Sequence, residues 1–297
     1  MDFTLPTYKK LLQELLTSGY SFQTLQDFIQ KPEDKTVILR HDVDRLPENT
    51  LKMARMENGE NVKASYYFRI VKESFDKDII KKIAEIGNEV GYHYEDLSLY
   101  GGNYELSIIN FELDLKKLRK LYPVKTICMH GSPLSKWDNR DLWKRYNYKD
   151  YSIIAEPYFD VDFDAVFYIT DTGRRWDGDS VSVRDKVSSQ LSKRLSPGMN
   201  RMIPAGLDGK NKRDEWMDPF GGMNRMAGSK KKEFKDLSFH STWDIIKAAD
   251  RGLLPDKIII NVHPQRWTDR FGPWLSELIK QNVKNVIKKW MIAWRQG

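Results

Sequence analysis

The sequence predicts an α/β fold built on a parallel sheet or barrel, and three observations carry that expectation. Short β-branched apolar runs alternate with stretches of helical periodicity, the strand–helix rhythm of parallel sheets. Four of the five histidines stand where such a run gives way to a loop. The chain has 297 residues, 40% apolar and 12% aromatic, enough for one large core with appendages.

Taken in order, residues 7–17 carry Leu11, Leu12, Leu15 and Leu16 ahead of Gly19, an amphipathic helix with a C-terminal stop. Thr36-Val37-Ile38-Leu39 is a short apolar run between polar residues and reads as a buried strand ending at Asp44. A helix over about 47–58 closes at Gly59. Ala64 to Ile70 reads as a second strand, and Ile79, Ile80, Ile83 and Ile86 as a helix stopping near Gly87. Glu89 to His93 is a short third strand. Ile108, Phe111, Leu115, Leu118 and Tyr122 step by 3, 4, 3 and 4 residues, a helix ended by Pro123. Thr126–Met129, Ser152–Ala155, Val166–Ile169 and Ile258–Val262 supply further strands, with a helix near 241–250 before the last of them. Pro273 starts a final helix carrying Leu275, Ile279, Val283, Ile287, Trp290 and Trp294. Its Lys280, Lys284, Lys288 and Lys289 would suit a membrane surface, but a packing helix with a solvated lysine face is the preferred reading.

Residues 188–236 break the rhythm: they are rich in Gly, Met, Lys and Arg and are interrupted by Pro197, Pro204 and Pro219. Such an insertion reads as a lid, a binding loop or a disordered stretch. The expected organisation is therefore an N-terminal helical extension (1–35), a barrel made of 36–187 and 237–297, and the insertion between.

Composition excludes several classes. The single cysteine, Cys128, rules out an intrachain disulfide and a cysteine-rich zinc site. No run approaches the ~18–20 apolar residues of a spanning helix, and Met1-Asp2-Phe3-Thr4 does not open a secretory signal, so a cytoplasmic location is expected. Of the net charge of +7, +5 falls between Lys193 and Asp236. Trp216, Phe220 and Phe234 are too scattered to make that segment a nucleic-acid platform, so no nucleic-acid partner is expected.

His41-Asp42-Val43-Asp44 is the most informative stretch. Alternation along a strand points Asp42 and Asp44 the same way, where two carboxylates repel unless a cation or a proton intervenes. A divalent metal beside a catalytic base is one solution. An Asp-rich turn capping a helix that opens at Pro47-Glu48 is the other. His93, His130 and His263, with Asp96 and Asp171, share the same kind of strand end, the face where parallel α/β folds build active sites. Imidazoles and carboxylates without thiolates suit a hard or borderline cation, zinc first, with Co, Mn, Ni or Fe able to substitute. The collection reads as a mononuclear metal hydrolase site.

In order, His41-Asp42-Val43-Asp44, Gly91-Tyr92-His93-Tyr94-Glu95, His130-Gly131-Ser132-Pro133, Asp171-Thr172-Gly173-Arg174-Arg175-Trp176 and Val262-His263-Pro264 span about 36–265. This series resembles the polysaccharide deacetylases of the NodB-homology (carbohydrate esterase family 4) superfamily, closest to divergent members from surface-polysaccharide biosynthesis. The resemblance implies a distorted (β/α)7 barrel and metal-dependent removal of an N-acetyl or other N-acyl group from an amino sugar or glycan precursor. It assigns Asp42 as base, Asp44 and His93 as metal ligands, His263 as general acid and Asp171 as that acid's support. The second motif's usual second histidine is Leu97 here, so His130 is inferred as third ligand, with Asp96 or Glu95 as substitutes. Tyr94, Trp176, Trp267 and Trp137 are candidates to stack on a sugar, and Arg174 to bind substrate. His41 stays unassigned between orienting Asp42 and touching the metal. Two other readings stand beside the deacetylase: a catalytically inactive carbohydrate-binding homologue, and a C–N hydrolase of a small non-sugar amide.

Overall fold

The computed structural model describes residues 1–176 and 237–296; the expected insertion at 188–236 and residues 177–187 lie outside the described residues, as do the side chains of Trp290 and Trp294. Seven parallel strands form one curled sheet, a half-barrel. They are β1 (Ser21–Gln23), β2 (Thr36–Val43), β3 (Ser65–Phe68), β4 (Glu89–Tyr94), β5 (Ile127–Met129), β6 (Phe167–Thr170) and β7 (Lys257–Val262). The order is β5-β4-β3-β2-β7-β6, with β1 pairing the first half of β2 and β3 the second half. Every position of β2 is buried, as expected of a central parallel strand covered on both faces.

The helices are α1 (Leu5–Thr17), α2 (Leu25–Gln30), α3 (Pro47–Gly59), α4 (Lys77–Glu85), α5 (Asp96–Leu99), α6 (Tyr104–Arg119), α7 (Pro157–Asp160), α8 (Thr242–Asp250) and α9 (Phe271–Gln296). Thr4, Asp76, Asn103 and Ser241 cap four of them, each side chain accepting a backbone N–H of the first turn. The apolar faces of α1 (Leu11, Leu12, Leu15) and α4 (Ile79, Ile80, Ile83) turn inward as their periodicity dictates.

Two expectations change. Residues 1–35 are not a purely helical extension, because Ser21–Gln23 adds a strand to the sheet. The strand expected at Ser152–Ala155 shrinks to a single bridge, Thr126 to Ala155. A 3-10 turn, Tyr148–Tyr151, runs into Ser152, whose φ of 56° is left-handed and delays extended pairing.

Strand alternation sorts the first motif. Arg40 and Asp42 face the inside of the curl, against Tyr158, Tyr168 and Asn261. His41 faces the helices, stacked on Tyr66 with ring centroids 4.3 Å apart and 2.8 Å from Glu57 Oε1. On β4, Gly91 leaves room for the Tyr67 ring, which a Cβ there would overlap.

Candidate active site

The ends of β2, β4, β5, β6 and β7 open onto one cleft of about 750 Å³. Asp42, Asp44, His93, His130 and His263 all line it, so topology gathers residues that are up to 221 positions apart in the sequence. That is the C-terminal rim of a parallel sheet, where loops present side chains to a ligand.

One half of the cleft is built around Asp44. His93 Nε2 lies 3.6 Å and His130 Nε2 3.7 Å from its Oδ1. Each imidazole is fixed by its other nitrogen. His93 Nδ1–H donates to the Cys128 carbonyl at 3.0 Å, and His130 Nδ1 pairs with Glu95 Oε2 at 2.8 Å. Arg69 in turn grips Glu95 at 2.6 and 2.8 Å. Both Nε2 atoms are thereby aimed at a carboxylate oxygen that is buried and has no hydrogen-bond partner. The separations are too long for hydrogen bonds. The ligand atoms of Asp44, His93 and His130 do not all lie within 4.8 Å of one another, so the three would have to draw together to share an ion. Burial alone would raise the Asp44 pKa, but His93, His130 and His263 hold it well below the usual carboxylate range.

A second donor set shares His93. Asp42, His93 and Cys128 bring ligand atoms within 4.8 Å of one another, and this buried group could hold a metal ion. Cys128 is fully buried and does not line the cleft. Asp42 has one oxygen committed: Oδ2 accepts from Arg40 Nη2 and from Asn261 Nδ2, both at 2.9 Å. Its Oδ1 has no hydrogen-bond partner.

The other half is centred on His263. Its Nδ1–H donates to Asp171 Oδ1 at 2.6 Å, leaving Nε2 as the outward nitrogen. Asp171 also accepts from Arg266 Nη1 at 2.7 Å, from Trp267 Nε1 at 2.8 Å and from the His263 backbone N–H at 3.0 Å. Burial pushes the Asp171 pKa up, but Arg266 and His263 outweigh it and the carboxyl sits below its ordinary value.

The expected substrate contacts fall elsewhere. Tyr94 follows His93 on β4 and so takes the opposite face, where it is fully buried against Phe111 and Trp143. Trp176 and Trp267 are buried against Phe3, their N–H groups spent on Thr242 and Asp171. Arg174 lies between the Phe3 and Trp274 rings and donates to the Trp274 carbonyl at 2.8 Å. Trp137 packs over Gly102. None of these five lines the cleft, which corrects their assignment as sugar-stacking or substrate-binding groups.

The substitute ligands are corrected too. Asp96 faces Tyr92 and Asn110 behind β4, at 3.0 and 2.8 Å. Glu95 orients His130 instead of replacing it. Leu97 is core, and His130 comes in from β5. His41, turned to the opposite face of β2, neither orients Asp42 nor reaches the cleft. Arg40, Asn261, Gln265 and Arg266 were not anticipated from sequence. Arg40 had a signal, since it precedes Asp42 by two residues on a strand and so shares its face. Arg266, three residues past His263, had a weaker one.

No family model matches the chain, and neither a curated protein nor a solved structure matches it.

Proposed function

We propose that the chain is a metal-dependent hydrolase that removes an N-acyl group, with zinc at Asp44, His93 and His130 and an N-acetylated amino sugar or glycan precursor as substrate. The observation that carries this is the convergence of two fixed imidazole Nε2 atoms on the unpartnered Oδ1 of Asp44, in the same cleft as the Asp171-held His263. The accessible set is favoured over Asp42–His93–Cys128 because a catalytic ion needs a position open to substrate, and Cys128 is outside the cleft. A divalent ion held there supplies Lewis acidity toward the acyl carbonyl and toward water.

The chain's own residues supply the proton movements. Asp42 Oδ1 is the acceptor for the proton of the attacking water, because Arg40 and Asn261 hold Oδ2 and leave Oδ1 without a hydrogen-bond partner on a residue that lines the cleft. His263 Nε2 delivers a proton to the departing nitrogen, which leaves poorly as an amide anion. Asp171, held ionised by Arg266, accepts from Nδ1–H and stabilises the imidazolium whose Nε2–H is delivered.

A second reading, a C–N hydrolase of a small non-sugar amide, is favoured by one observation: none of the aromatics expected to stack on a sugar lines the cleft. Acetate release from N-acetylated sugars and from small amides, with and without EDTA, tests both. Loss on chelation and in Asp42→Asn is expected. Release that survives both would sink the hydrolase reading, and release from small amides alone would decide for the second.

A further inference from the structure

Helix α9 is amphipathic in the reverse sense. Its packed side is polar: Glu277 binds Arg45, Gln281 binds Glu277, and Asn285 donates to the Gly173 carbonyl, with each of the three side chains under one-tenth exposed. Leu275, Ile279, Val283 and Val286 are 39 to 57% exposed. At about 100° per residue these four fall within a sector of about 80°, centred about 160° from the buried polar side. An aliphatic strip of about 18 Å between Leu275 and Ile287 therefore has no partner among the described residues.

The exposed charges on the described side chains of the helix itself have one sign. Lys280 and Lys284 are exposed, and the only acidic residue between 271 and 287 is the buried Glu277, while just before the helix the exposed Asp269 and Arg270 offset each other. We propose that this face of α9 lies on an anionic lipid bilayer, its aliphatic side chains in the interface and its lysines against the headgroups. Charge complementarity selects this occupant. A second copy packed on the same face would set Lys280 and Lys284 against their own equivalents, in a chain of net charge +7. The stretch from Lys193 to Asp236 carries a net +5 and is mismatched in the same way. Among the described residues no helix is long and apolar enough to cross a membrane, so the contact is a surface one. Lys284 and Ile287 also line the cleft, and Leu134, 86% exposed, stands at its rim.

Helix α6 provides the internal control. It exposes Leu106, Ile109 and Leu113 as fully, but with Glu105 and Glu112 among its exposed charges. The test is co-sedimentation of the full chain with vesicles of phosphatidylcholine alone or with phosphatidylglycerol, beside a lipid-free measurement of mass in solution. Binding is expected to the anionic vesicles and to weaken with salt. Lys280→Ala/Lys284→Ala should bind about thirtyfold more weakly, each lysine near an anionic surface contributing about a factor of five. Ile279→Ser/Val283→Ser should abolish sedimentation, and Ile109→Ser should leave it unchanged. Circular dichroism confirms that each variant is folded. The proposal is overturned if no vesicle sediments the chain, if the α9 variants sediment as well as the parent, or if the lipid-free chain is a dimer that Ile279→Ser/Val283→Ser dissociates.

Discussion

On one side of the cleft, Asp171 has two oxygens and four donors, and His263, Arg266 and Trp267 are locked around it. On the other, Asp42 and Asp44 each keep a buried oxygen to which nothing donates, while two imidazoles point their Nε2 atoms at one of them. Buried polar groups are satisfied as a rule, so this imbalance carries information. The His263 side is organised by the protein alone and belongs to its stability. The Asp44 side keeps unpartnered acceptors, and these are what the proposed ion would use. Mutations on the two sides should accordingly fail in different ways.

The largest effect is expected at Asp171. Asp171→Ala leaves the buried Arg266 guanidinium without its counter-ion, with only its hydrogen bond to the residue 171 carbonyl, and the Trp267 N–H unpaired, and should cost about 3–5 kcal/mol in urea denaturation as well as activity. A cost below about 1 kcal/mol would break the contrast. Asp44→Asn is the opposite case. An amide oxygen can still accept from Gln265, so metal-free stability should change by less than about 1 kcal/mol while metal content drops to background by elemental analysis. Glu95→Gln loosens His130 without removing a ligand, and should weaken metal affinity about 10- to 100-fold in a competition titration.

The contrast between the two sides was only partly legible in the sequence. Strand–helix alternation is local, and the strands that hold the site follow from it. The histidines were visible because each ends such a run. The substrate aromatics were misplaced for two physical reasons. Tyr94 adjoins His93 on a strand, so pleating sends it to the other face, an inference open to sequence alone. Trp176 and Trp267 instead pack on Phe3, a partner near the N-terminus that no local pattern indicates. Helix α9 teaches the same lesson. Its periodicity announced a helix, yet which side packs was decided by Glu277 meeting Arg45, 232 positions away. Periodicity gives the stripe; only tertiary partners say whether it faces in.

Behind the Asp44 side, Asp96 sharpens the comparison through pH. Burial, reinforced by Asp114 and opposed by Asn110 and Tyr92, pushes its pKa from 3.8 to about 7. Between those values the folded chain binds more protons here than the unfolded chain, so stability must fall as pH rises. The contribution is complete below pH 3.8 and gone above about 7. Asp96→Asn mimics the neutral carboxyl, and its stability relative to the parent should climb steadily across that window. A difference that stays flat from pH 4 to 7 would show that Asp96 is ionised in the fold.

The smallest expected effect falls on Cys128, and it discriminates best between the two donor sets. Both sets use His93, so His93→Ala abolishes either and decides nothing. Cys128 belongs only to the buried set, and its thiol makes only a long contact to the Met129 carbonyl at 3.8 Å. If the ion sits with Asp44, His93 and His130, Cys128→Ser should leave metal stoichiometry intact, and any acetate release should stay within about twofold. If the ion sits with Asp42, His93 and Cys128, exchanging a thiolate for a hydroxyl removes a soft ligand, and stoichiometry should fall while His130→Ala retains it. In that outcome Asp42 is tied up as a ligand and cannot take the proton of the attacking water, so the roles of the two carboxylates, Asp42 and Asp44, would have to be exchanged.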